Sequence, residues 1–169
     1  LAINVGGPIW ALAWCPTHPP SPDTVIYLAV SAHKTMTERH AMHSNTSGPN
    51  CIQVWSVQVS GGRSSANFEF GIVHNGDTVW DIQWCPTGCV VPPGEQGNPY
   101  GRIGLLLCTM NDGAIVVYAV PDPKVLREKK GISEGSAFYV SLRPCILLRK
   151  ENTHSCCVRW SWYSDHSMI

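Results

Sequence analysis

A chain of 169 residues is long enough for one domain with a real core, and its twelve acids balance twelve lysines and arginines, so no whole-molecule charge steers it to a partner. No apolar run exceeds seven residues (9–15 and 114–120), far too short for a membrane helix, which needs about 20 residues. Seven tryptophans, thirteen prolines and fifteen glycines suit short strands joined by tight turns, and no long window spaces its apolar residues as a helix does; almost no helix is expected.

The first strand is Ile9-Trp10-Ala11-Leu12-Ala13-Trp14, which alternates with period two and ends at Cys15-Pro16, where proline cannot donate to a ladder. A proline-dense turn follows, then the nearly continuous apolar run Val25 to Ser31, which reads as a strand buried on both faces. Residues 33–50 form a polar insertion without periodicity, closed by Gly48-Pro49. Cys51 to Val57 is a third strand, residues 61–67 a flexible turn, and Phe68 to Val73 a short outer strand.

At Val79-Trp80-Asp81-Ile82-Gln83-Trp84-Cys85-Pro86 the opening strand returns, 70 positions after its first appearance. The order then repeats: a proline- and glycine-rich loop over 88–101, a strand from Ile103 to Thr109, and a turn at Asn111-Asp112-Gly113, whose residues tolerate positive φ. Ala114 to Val120 is the next strand, residues 121–136 a polar connection, and Phe138 to Leu142 with Ile146 to Leu148 the outer strand, interrupted at Pro144. Ser155-Cys156-Cys157-Val158-Arg159-Trp160 is a weaker third copy of the opening strand. Repeated strands at long, unequal spacing mean repeated units with insertions.

Four strands per unit, an Asp-Gly hairpin between the second and third, and Val-Trp or Val-Tyr near the end of the third resemble the blades of a WD40 β-propeller, an all-β fold. The positions that carry the resemblance are Trp14, Trp55, His74, Trp84, Asp112, Gly113, Tyr118 and Trp160. Ser56 and Ala119 stand where such repeats carry aspartate, and the units are longer than the usual repeat of about 40–45 residues. The resemblance implies a first blade over 1–74 with an insertion over 33–50, a second over 75–152, and the start of a third over 153–169. The chain thus reads as two blades and the inner strand of a third, cut from a longer protein. The ordered set of Trp-Cys-Pro endings, Tyr27 to His33, the histidine-bearing loop and Cys51 to Trp55 is similar to the propeller (beta) subunits of general transcription factor IIIC, which serves RNA polymerase III. That likeness implies a nuclear, non-enzymatic scaffold that holds the other subunits of the complex and reaches promoter DNA through it. The alternatives are a WD40 adaptor of a ubiquitin ligase or RNA-processing assembly, or an enzyme borne on a propeller.

Among candidate site residues, Trp10 and Trp80 stand at the strand entrances, where a propeller opens on the face that partners dock, and tryptophan is enriched at interface hot spots. With Asp81, His33, His40 and His43 they form the candidate partner-binding set, and Trp80→Ala is expected to weaken binding more than it weakens the fold. The bland alternative is a tryptophan wedged between blades, the role read for Trp14, Trp84 and Trp160. The histidines with Cys51 could hold zinc, but a solvated loop accounts for them, and no cofactor or metal is expected. Between 122 and 159 eight bases face four acids; Lys129, Lys130, Arg149 and Lys150 are the candidate phosphate contacts, against the plainer reading of a protected strand edge. The eight cysteines include no C-x-x-C pair and read as reduced core thiols. Phosphate-loop, nucleophile-elbow and H-E-x-x-H motifs are absent, which points away from catalysis, a small-molecule substrate and a membrane.

Overall fold

The computed structural model describes residues 1–16, 25–35, 37, 50–76, 78–86, 89–149 and 155–161. The opening strand β1 (Ile9–Trp14) pairs antiparallel with β2 (Ile26–Ala32), β2 with β3 (Asn50–Ser60), and β3 with β4 (Arg63–His74). The second unit lays down β5 (Val79–Trp84), β6 (Gly104–Met110) and β7 (Ile115–Val120) in the same antiparallel order. Two strands that read as one outer element instead separate. The strand β8 (Tyr139–Ser141) joins the first sheet, parallel to β4, whereas β9 (Ile146–Leu148) closes the second sheet against β7. The sheets therefore run β1-β2-β3-β4-β8 and β5-β6-β7-β9.

The reason for the split is local. Pro144 offers no donor, and Gly71 leaves room on β4: a Cβ there would stand 2.5 Å from the Tyr139 ring. The Gly71 N–H donates to Phe138 O at 3.0 Å, so β8 settles on the edge that would otherwise be open.

Three further expectations are corrected. The β3–β4 hairpin is longer than its sequence suggests, because Gly61 and Gly62, at φ 56° and 77°, make a two-residue turn and the following residues pair as strand. The polar connection after β7 contains a helix, α1 (Pro123–Lys130), too short to show a periodicity but fully capped. Asp122 accepts from the Lys124 and Val125 amides, Pro123 fills the first turn, and Gly131 ends it at φ 63°. Residues 155–161 are not a strand; they run past β5 without a ladder.

One face of each sheet makes the core. From the first sheet come Ala11, Ala29, Val54, Ile52, Phe70 and Ile72; the second presents Ile82, Trp84, Leu106, Cys108, Val116 and Tyr118. All twelve are at most 8% exposed. Small alanines on β1 let the large residues of β5 approach, and Trp84 Nε1 crosses the interface to donate to Ala13 O at 3.0 Å. A corresponding bond recurs one unit on, where Trp160 Nε1 donates to Gln83 O at 3.2 Å. In both cases the acceptor is the residue just before the preceding unit's tryptophan. Trp84 is 5% exposed and Trp160 half-buried, whereas Trp14 is 52% exposed.

Candidate interaction surface

At the end of the sheets where β1 and β5 begin, both strands carry a bulge at the same place, between Ile9 and Ala11 and between Val79 and Asp81. The residue spanned is a tryptophan each time, and a bulge re-aims the side chain it carries. Trp10 and Trp80 meet edge to face with ring centroids 5.4 Å apart, and His33 also packs edge to face with Trp10 at 5.1 Å. Trp80 is half-buried and its Nε1 donates to Asn111 Oδ1 at 3.2 Å; Trp10 stays 56% exposed. The structure brings together three of the six candidate partner-binding residues in this cluster. His40 and His43 lie outside the described residues.

Asp81 serves as a clasp beside it. Its Oδ1 accepts from Ile82 N and Gln83 Nε2, and its Oδ2 from Val158 N and the Arg159 guanidinium. The carboxylate thus holds residues 155–161 against β5. We expect Asp81→Ala to release that segment, seen as faster hydrogen exchange at the Val158 amide, while core amides of β6 keep their protection.

Lys129 and Lys130 are exposed on the last turn of α1, and Lys129 Nζ sits 5.4 Å from the Tyr100 ring centroid. Arg149 is paired with Asp112, and Lys150 lies outside the described residues. Asp112 also takes the Ala114 amide at 3.1 Å and Gly113 adopts φ 82°, in a three-residue loop closed by the Met110 amide on Ala114 O at 2.8 Å. Of the other signature positions, Trp84, Tyr118 and His74 are buried, while Trp55 is half-buried and donates to Gln53 Oε1 at 2.9 Å.

Clefts of about 430, 280 and 420 Å³ open beside His33 and Cys51, beside Met110 and Leu147, and between α1 and Tyr139. No group of three or more histidines, cysteines or acids among the described residues could hold a metal ion. Burial pushes the Cys15 thiol up to about 12, aided by Cys89, and the Tyr118 hydroxyl likewise to about 12. Such groups stay protonated at neutral pH and are poor nucleophiles. Cys145, Cys156 and Cys157 are exposed, which corrects their reading as core thiols; pattern alone does not distinguish a strand covered by a neighbour from one that is not.

Sequence reasoning missed Asn111 and Arg127. Asn111 is 1% exposed, and besides receiving the Trp80 indole it donates its own amide to Thr78 O. A hairpin turn explained it fully, so nothing in the sequence marked it as a partner of a tryptophan 31 positions away.

No family model matches the chain. It is 33% identical over 132 residues to general transcription factor 3C polypeptide 2 of Homo sapiens, and equally so to that of Pongo abelii. The match takes in 75% of this chain and 14% of the length of each of these relatives. It is also 28% identical over 120 residues to transcription factor tau subunit sfc6 of Schizosaccharomyces pombe, with 70% of this chain and 18% of that protein covered. The chain therefore spans about a seventh of the first two relatives.

Proposed function

We propose that this chain is part of a non-enzymatic scaffold within a nuclear transcription factor IIIC complex, built as two WD40-type propeller blades, 1–74 and 75–152, and the beginning of a third over 153–169. The observation that carries the reading is the 33% identity, across 75% of the chain, to proteins named as general transcription factor 3C polypeptide 2. The recurring indole-to-carbonyl bond between successive units supports the repeat part of it. Its partners are the other subunits of that complex, and promoter DNA of RNA polymerase III genes is reached through them. Lys129 and Lys130, exposed on α1, are the candidates best placed for phosphate contacts.

Within this reading Trp10 is the sharper probe of partner binding. Trp80 also holds Asn111, so its loss weakens the fold together with any interface. Trp10 is exposed and preorganised by two edge-to-face neighbours, the setting in which an aromatic anchor costs little entropy on binding. The test is an affinity capture from nuclear extract with the full-length protein. Recovery of the complex's other subunits is expected, reduced by Trp10→Ala about 30-fold in affinity, the size of a 2 kcal/mol hot spot. Recovery of a ligase or an RNA-processing assembly in their place would remove the transcription reading.

A further inference from the structure

By settling beside β4, β8 becomes the rim of the first sheet and brings an edge of its own. Its register decides which groups that edge presents. Tyr139 stands opposite Gly71 and Ser141 opposite Val73, and the Gly71 N–H donates to Phe138 O. In a parallel ladder so placed, the main-chain groups of Val140 turn toward β4 and those of Tyr139 and Ser141 turn away. The outward amides and carbonyls of Tyr139 and Ser141 meet no backbone partner among the described residues. Residues 139–142 line, in succession, the cleft of about 420 Å³ beside α1. Pro121 and Leu126, both buried, and the half-buried Leu142 give it apolar walls, with the exposed Tyr100 and Tyr139 among its other lining residues. Lys130 is the one charged residue in that lining among the described residues, and it makes no ion pair with any of them.

We propose that this cleft seats an extended acidic segment of a partner protein, which adds to the open edge of β8 as a further strand. Amides and carbonyls alternate along that edge, and another peptide backbone answers both. Two residues of ladder are a short footing, so side chains must supply the rest of the affinity. Every second side chain of an added strand points the same way, and an apolar one can rest on Pro121, Leu126 and Leu142. A carboxylate beside it meets Lys130, a cation with no competing acid in the lining. Nucleic acid fits less well, because one lysine in an apolar cleft does not track a phosphate backbone and the edge carbonyls would go unanswered. Lys129, which sits over the Tyr100 ring, is outside the lining and keeps its own role. Neither the Trp10 surface nor the assignment to transcription enters this reading.

Panning a display library of random peptides on the purified full-length protein tests it. The recovered peptides are expected to carry acidic residues next to an apolar one. Lys130→Glu is expected to raise their Kd about 10-fold or more, the worth of one charge-assisted bond. Ser141→Pro removes an outward amide and no bond to β4, so it is expected to weaken binding by a similar factor while thermal unfolding stays unchanged. Lys130→Glu, at an exposed helix end, keeps the test decisive if the proline disturbs β8. Amide exchange locates the added strand: bound peptide is expected to slow Tyr139 and Ser141 and to leave Val140, already turned to β4, as it was. Recovery of no peptide, or of peptides that bind wild type and both variants alike, overturns the proposal. Slow exchange at Tyr139 and Ser141 before peptide is added also overturns it, because the protein's own chain or a second copy then covers the edge. A thymidine oligonucleotide whose binding falls with Lys130→Glu but not with Ser141→Pro assigns the cleft to nucleic acid instead. Because no other subunit is present, each of these outcomes leaves the capture experiment of the functional reading standing.

Discussion

Trp84→Ala is expected to lower the unfolding free energy by about 3–5 kcal/mol, the range for removing a buried tryptophan from a packed core. The ring is 5% exposed and lies flat on Gly104, where an added Cβ would stand 2.9 Å from Trp84 Cε3. No side chain at 104 can collapse into the space the indole leaves, so the cavity persists and the cost sits toward the upper end of that range. The lost bond to Ala13 O also removes a link across the junction of the two sheets. Trp84→Phe separates the two contributions: it keeps most of the ring and is expected to cost about 1 kcal/mol for the missing donor plus a smaller packing loss. Trp14→Ala is the control in this 169-residue chain, expected within about 0.5 kcal/mol of wild type because the side chain is exposed there. Urea titrations at unchanged slope measure all three. A Trp84→Ala loss no larger than that of Trp14→Ala would show that the two sheets do not depend on each other.

The contrast between those two tryptophans also marks the limit of what could be read from residues alone. Both end the same alternating strand and both precede Cys-Pro; only the neighbouring sheet separates them, and a neighbour is not a local property. The opening strands, the two hairpins and the chain of pairings from β1 to β4 and β5 to β7 were legible because period-two patterning and turn residues are local. The destinations of Tyr139–Ser141 and Ile146–Leu148 were not, since three-residue strands carry no information about which edge they join. The helix over Pro123–Lys130 announced itself only through Asp122-Pro123 and Gly131, cap signals with less than three turns between them. In the candidate surface, Trp10 and Trp80 stood out by type and spacing, but their contact follows from matching bulges that no pattern revealed.

Arg127 is the clearest residue of that hidden kind, and its removal is the second large effect expected. From α1 in the second unit its guanidinium donates to Ser133 O and Ser136 O, each at 2.9 Å, and to Glu69 O on β4 at 2.9 Å. The Glu69 carboxylate lies 3.9 Å away, and the Phe138 ring is stacked 4.8 Å from the guanidinium carbon. Phe138 in turn packs on the fully buried Phe70. One side chain, 13% exposed, thereby ties helix, connection and β8 of the second unit to the outer strand of the first. Arg127→Ala removes one donor from each of three carbonyls, of which Ser133 O keeps the Ser136 amide, and a cation from a ring, and is expected to cost about 2–3 kcal/mol, the worth of a charge-assisted bond with its packing. Arg127→Lys keeps the charge but not the planar fork, which can serve three acceptors lying in different directions, so it should recover less than half of the loss. Hydrogen exchange distinguishes a strap from a merely stable helix. In Arg127→Ala the Val140 amide, on the parallel strand beside Ile72, is expected to lose protection before those of β6 and β7. Equal loss across both sheets would mean that the guanidinium supports the whole core and that β8 is held by its own ladder.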